Sequence, residues 1–208
     1  MKPLFSLMIV LLSAGLWTNS AKGMDVADTI ANEKPENAPY ASLAGGCFWC
    51  LESEFRALRG VLYTRSGYEG GDLEHPAYRD VTTGKTGHAE TVEVYYDPAL
   101  ISYRQILDFF LRKAHDPTQK DRQGVDVGPQ YRSAIFYHDD TQKQIAEEAI
   151  KAAEKDKVWP KKIVTTLEPH TQFWEAEGYH QQYYEKYEAE KGRPHIRVLM
   201  KKAKKNSR

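Results

Sequence analysis

The apolar positions change period several times along the chain, and each change marks an element. Residues 4–16 are almost wholly apolar, behind the positive charge of Lys2 and ahead of the small and polar residues around Asn19 to Ala21. This is the layout of a secretory signal, expected over residues 1–21, and the run is shorter than the roughly 20 apolar residues a bilayer-spanning helix needs. From Lys22 to Pro39 the period is lost among Asp, Glu, Asn and Pro, which predicts a flexible linker over 22–39. A strand is predicted at Tyr40–Leu43, after which Phe48, Leu51, Phe55 and Leu58 recur at helical spacing until Gly60 stops the helix. Extended backbone over Val61–Tyr68 then enters a connection containing Gly70, Gly71, Gly84 and Gly87, a kind of segment that often hosts function.

Thr91–Tyr96 alternates as a half-buried strand does, and Pro98 closes it ahead of an amphipathic helix near Tyr103–Leu111. His115–Gln130 reads as irregular loop. A strand at Ser133–Tyr137 leads through Asp139, Asp140 and Thr141, which are helix-capping types, into a helix ending near Lys155, and Ile163–Leu167 reads as one more strand. The order β-α-β-β-α-β followed by α-β predicts an α+β fold, a ferredoxin-like two-layer sandwich with extensions and long irregular loops, in one catalytic domain over 40–190. Residues 191–208 are rich in Lys and Arg and read as a solvated basic tail.

Charge narrows the partners. Lys and Arg together number 29 and so do Asp and Glu, so the chain has no net field with which to gather nucleic acid or an anionic membrane. The two cysteines, Cys47 and Cys50, sit in one four-residue stretch. A structural disulfide staples distant segments, whereas a bridge between these two would staple almost nothing, so redox chemistry explains the pair better. No cysteine lies near the end of the leader to take a lipid anchor. An exported protein, periplasmic or secreted, monomeric and without a membrane span once the signal is cleaved, is the expectation.

Cys47 follows two glycines at the start of a predicted helix, where unpaired N–H groups and the helix dipole favour an anion, so its thiolate is expected to be stabilised. Gly45 and Gly46 are expected to let a substrate approach the backbone. Cys50, one turn on, can resolve an oxidised Cys47. The competing readings are a buried inert thiol and a zinc site. Zinc needs two further ligands, and the seven histidines, His88, His115 and His180 among them, have no paired ligand spacing. No metal is expected.

The stretch Gly45-Gly46-Cys47-Phe48-Trp49-Cys50 resembles the signature of the peptide methionine sulfoxide reductase A family. Further matches follow in order at Tyr78-Arg79-Asp80-Val81, Gly87-His88-Ala89-Glu90, Tyr95-Tyr96-Asp97-Pro98, His115-Asp116-Pro117 and Gly128-Pro129-Gln130-Tyr131-Arg132-Ser133, and the resemblance spans about Leu43 to Tyr184. It implies that Cys47 attacks the sulfur of methionine S-sulfoxide, free or in proteins, while Glu90 gives a proton to the oxygen. It further implies that Phe48 and Trp49 hold the sulfur-bound methyl group, that Tyr78 and Tyr131 hydrogen-bond the oxygen, and that Asp126 belongs to the same pocket. A Cys47 sulfenic acid would condense with Cys50, and a thioredoxin-like dithiol would open the disulfide, with no bound cofactor. Many relatives carry glycine at the position of Cys50 and resolving cysteines near the C-terminus, which this chain lacks.

Two other readings of the residues stand beside this one. A general thiol-disulfide oxidoreductase would use the cysteine pair without needing Glu90 or the aromatic pair. A non-catalytic module that recognises oxidised methionine or a partner peptide would keep the aromatics and survive loss of Cys47.

Overall fold

The computed structural model describes residues 33–197, so the expected signal, residues 22–32 of the linker and residues 198–208 of the tail lie outside the described residues. In chain order the elements are β1 (Tyr40–Gly45), α1 (Phe48–Arg56), β2 (Val61–Glu69), a short α2 (Tyr78–Val81), β3 (Ala89–Tyr96) and α3 (Tyr103–Phe109). There follow β4 (Arg122–Gln123), β5 (Asp126–Val127), β6 (Ser133–Tyr137), α4 (Asp140–Lys155), β7 (Thr166–Pro169), β8 (Trp174–Glu175) and α5 (Tyr183–Lys191). One six-stranded sheet runs in the order β7-β6-β1-β3-β2-β8. Its inner four strands, β6-β1-β3-β2, each run antiparallel to their neighbours and have the ferredoxin-like order expected from the sequence. β7 adds parallel to β6 and β8 adds antiparallel to β2.

β3 is buried along its whole length, and the two-residue period of a strand sorts its side chains. Val92, Val94 and Tyr96 enter the apolar core with Phe55 of α1, Ile106 and Leu107 of α3, and Ala146, Ala149 and Ala153 of α4. By the same period Glu90 lies on that helix-covered face, at the end of the strand where the apolar side chains stop. On the other face Glu93 takes hydrogen bonds from Arg65 and from the Tyr95 hydroxyl.

Register places the functional edge. Ala44 pairs with Thr91, Gly45 with Ser133, and Tyr68 with Glu90. The ends of β1 and β2 therefore meet the starts of β3 and β6 at one edge of the sheet, and α1 begins there.

Several expected boundaries move. The last core strand is Thr166–Pro169 rather than Ile163–Leu167, because Ile163 turns into the core and Val164 N–H is spent on the Pro117 carbonyl. α3 continues as a π-helical turn over Phe110–Ala114. The loop expected at His115–Gln130 contains the β4–β5 hairpin. Residues 191–197, read from the sequence as the start of a solvated tail, fold back instead: His195 stacks on Tyr184 and Arg197 pairs with Asp126.

Gly67 is where β8 joins the sheet, and a Cβ there would collide with the Trp174 carbonyl oxygen and the Phe173 ring. Gly67→Ala is expected to push β8 off β2 and to lower stability by about 1–3 kcal/mol, read from the urea midpoint. A midpoint equal to that of the unaltered protein would count against this account of the edge.

Candidate active site

Cys47 is the residue before α1 and is only 9% exposed; its carbonyl accepts from the N–H groups of Cys50 and Leu51. The glycines before it serve the protein's own packing. A Cβ on Gly45 would meet the Phe110 and His115 rings, and one on Gly46, whose φ is +90°, would meet Gln123. Gln123 is pinned in turn by hydrogen bonds to both backbone groups of Asp116, so the β4–β5 hairpin sits against the turn that presents the thiol. The expectation that these glycines open a path for substrate is corrected: the room is taken by Phe110, His115 and Gln123.

Glu90 is 1% exposed and accepts from Phe48 N–H at 2.9 Å, beside the thiol-bearing residue. Burial pushes its carboxyl up to about 8, against the pull of the Phe48 N–H. At neutral pH the group is therefore mostly protonated. Asp126 and Arg197 act on it with opposite signs, and they neutralise each other through two hydrogen bonds of 2.8 and 3.0 Å.

The expected stabilisation of the Cys47 thiolate is overturned. A hydrogen bond with the Cys50 side chain, then burial, then the neighbouring Glu90 carry the Cys47 thiol well above its ordinary value. The Cys50 backbone N–H at the helix start pulls the other way and has the smallest effect. The helix start is present, but loss of water outweighs it. At rest Cys47 is a thiol.

All eight residues expected in the site gather at this edge. Tyr78 feels Glu90, Cys47 and Asp126, and burial first, then those neighbours, push its phenol up to about 12. Tyr131, in the turn just before β6, is raised by burial and then by Glu90, Tyr78, Asp126 and Cys47. Both phenols keep their protons and can donate. The Phe48 ring is fully buried, between Tyr68 at 5.9 Å, Tyr78 at 6.5 Å and His180 at 4.9 Å. Trp49 is half-buried, stacks on Tyr183 at 3.8 Å and donates from its indole to His180 Nδ1 at 2.9 Å. The arrangement is a thiol, a neutral carboxylic acid and two phenol donors beside an aromatic wall.

The segment after β8 supplies residues that local pattern did not reveal. Glu177 accepts from the Tyr68 hydroxyl and from Tyr78 N–H, both at 2.9 Å, so it fixes the tyrosine that faces Cys47. His180 is buried, and burial pushes its imidazole below its ordinary value, which keeps it neutral and able to accept from Trp49. The only signal was compositional, a cluster of aromatic and acidic residues over 173–187 without a period. His88 and His115 hold loops instead: His88 binds Gly71 N–H and the Leu73 carbonyl, and His115 binds the Phe110 carbonyl and Ser133 Oγ.

Comparison with known proteins bears on the same residues. The family model described as peptide methionine sulfoxide reductase matches residues 39–208. A peptide methionine sulfoxide reductase MsrA of Mycolicibacterium paratuberculosis is 53% identical over 151 residues, covering 73% of this chain and 85% of the relative. That of Thermus thermophilus is 50% identical over 147 residues, covering 71% and 82%. Among solved structures, Mxr1 of Saccharomyces cerevisiae in reduced form superposes with a TM-score of 0.68 at 35% identity, over 74% of this chain and 87% of that one. The same yeast protein has also been solved in complex with Trx2, and that structure superposes with a TM-score of 0.51 at 26% identity, over 74% and 89%. With a thiol, a protonated carboxyl and two phenols assembled as above, and with a family match that runs from the start of β1 through the site, the chain belongs to the peptide methionine sulfoxide reductase family.

Proposed function

We propose that this enzyme reduces methionine sulfoxide through Cys47, with Glu90 as proton donor and Cys50 as resolving thiol, in an exported monomer that repairs oxidised proteins. The observation that carries the reading is the protonated, buried Glu90 carboxyl hydrogen-bonded one residue from the Cys47 thiol. A sulfoxide oxygen leaves sulfur poorly until it is protonated, and a carboxylic acid that keeps its proton at neutral pH meets that need. Tyr78 and Tyr131 donate to the same oxygen. Phe48 and Trp49 receive the methylthio group, whose sulfur makes favourable contacts with aromatic rings. Because Cys47 rests as a thiol, its proton leaves as the sulfoxide gains one, and attack is coupled to substrate activation rather than to a standing thiolate. The S–O bond of the substrate breaks and its oxygen ends on Cys47, which is oxidised to a sulfenic acid while the sulfoxide sulfur is reduced and methionine departs with its sulfur.

Cys50 then displaces the sulfenic hydroxyl as water and forms the disulfide. A dithiol protein of the kind seen with the yeast relative reopens it by thiol exchange. A general disulfide oxidoreductase would leave the buried acid and the aromatic wall without a role. Export is supported by the charged, then apolar, then small-residue order of residues 2–21.

Cys50→Ser is expected to release one equivalent of methionine and then to lose turnover driven by a thioredoxin-type dithiol. Full turnover would mean that the donor reduces the sulfenic acid directly. The single-turnover rate should hold at neutral pH and fall as pH rises through about 8, because Glu90 loses the proton it must give. Glu90→Gln should be slower by about 10²–10⁴-fold and should lack that limb. A wild-type rate still climbing above pH 9 would remove Glu90 from the role. Expressed with its leader in a Gram-negative host, the chain should be recovered from the periplasm with its first residue close to Lys22; an uncleaved cytoplasmic product would exclude export.

A further inference from the structure

The cycle needs Cys50 to act as a nucleophile in a crowded, half-buried place, and one neighbour of its sulfur has no part in the scheme so far. Tyr184, in the first turn of α5, brings its hydroxyl to 3.1 Å from Cys50 Sγ. The same sulfur hydrogen-bonds Cys47. Cys50 is therefore held between the sulfur it must attack and a phenol.

The phenol is held in place from two directions. Gln182, the residue before α5, has left-handed backbone, φ +51°, a conformation that a residue with a Cβ keeps only when its surroundings insist. Its N–H donates at 2.8 Å to Glu52 Oε2, and the other oxygen of that buried carboxyl takes the Thr64 hydroxyl at 2.9 Å. Glu52 lies two residues beyond Cys50 in α1, so one helix carries both the thiol and the anchor that sets the start of α5. From the other side the His195 ring stacks on Tyr184 at 5.1 Å and 24°. Only 5% of Tyr184 is exposed.

We propose that Tyr184 is a catalytic residue of the second half of the cycle, donating its phenolic hydrogen bond to the Cys50 sulfur as that sulfur becomes the attacking thiolate. The inference rests on the reading of Cys50 as the resolving thiol. In the step, the Cys50 thiolate attacks the Cys47 sulfur, the S–S bond forms and the S–O bond breaks. The hydroxide leaves as water with the proton that Cys50 released. Cys50 is oxidised and the Cys47 sulfenic acid is reduced to the disulfide, while Tyr184 keeps its proton throughout. Burial and the adjacent Cys50 hold the phenol well above its ordinary range, so it acts as a donor. When the dithiol donor attacks Cys47 in the return step, the same hydrogen bond stabilises Cys50 as the leaving thiolate.

The test follows two products of one turnover with methionine sulfoxide in rapidly quenched samples of the full-length reduced enzyme: methionine, and the Cys47–Cys50 disulfide found by alkylation and mass spectrometry. In Tyr184→Phe the rate of disulfide formation is expected to fall at least tenfold relative to the rate of methionine release. A second measurement takes Cys47→Ser backgrounds and follows the pH midpoint for alkylation of Cys50. That midpoint should be highest with Phe at 184, intermediate with Tyr and lowest with 3-fluorotyrosine, which preserves the ring and strengthens the donor. If the unaltered enzyme forms no Cys47–Cys50 disulfide, the reading of Cys50 fails and this inference with it. If it forms the disulfide and Tyr184→Phe does so at the same relative rate, or the three midpoints coincide, the role of Tyr184 is overturned while Cys50 keeps its own.

Discussion

Where β3 meets the first turn of α1, Glu90 gives up its water, and the hydrogen bond it receives from Phe48 N–H does not make up for that loss. A carboxyl in this position keeps its proton at neutral pH because the charged form has nowhere to be solvated. The antiparallel register of β1 with β3 brings the start of β3 to the end of β1, and β1 runs directly into the Gly45-Gly46-Cys47 turn. A slip of one residue would turn Glu90 to the opposite face of the sheet, away from the thiol. The apolar set Val92, Val94 and Tyr96 holds that register, so the core and the proton donor are placed by one alternation.

The site is closed by chain that comes late in the sequence. β8 lies against the end of β2, and the segment after it delivers Glu177 to Tyr68 and Tyr78, His180 to Phe48 and Trp49, and α5 to Cys50. The chain beyond α5 crosses to the β4–β5 hairpin, where Arg197 meets Asp126 in a two-hydrogen-bond pair. That pair leaves little net charge near Glu90, so desolvation is the influence that decides the state of the acid. Both ends of the pair are only partly buried, which keeps the desolvation penalty of the ions themselves moderate.

The outer face of the sheet is arranged differently. Arg65, Glu93 and Tyr95 form one hydrogen-bonded group, and Glu69 is tied to His170 and Thr171 N–H in another. Burial raises the Glu69 carboxyl as it raises Glu90, but Glu69 has the His170 and Thr171 hydrogen bonds to oppose it, whereas Glu90 faces a thiol and two phenols.

The periods of the apolar residues determined the ferredoxin-like order by themselves, because each long element has to bury one face and its spacing must match its geometry. They could not report β4, β5 and β8, since strands of two residues have no period. The Cys47–Cys50 pair was legible from spacing alone, while Glu90, Tyr78, Tyr131 and Asp126 are common residue types that only the order of neighbouring motifs set apart. His180, Tyr184 and Arg197 were not legible as members of the site, because their partners are 71 to 134 positions away. The helix start by its local geometry points to a Cys47 thiolate, and the folded surroundings reverse this for the same reason. A helix terminus is a local feature that the chain displays in one dimension, but loss of water is produced by everything packed around a group, and only the folded chain decides it.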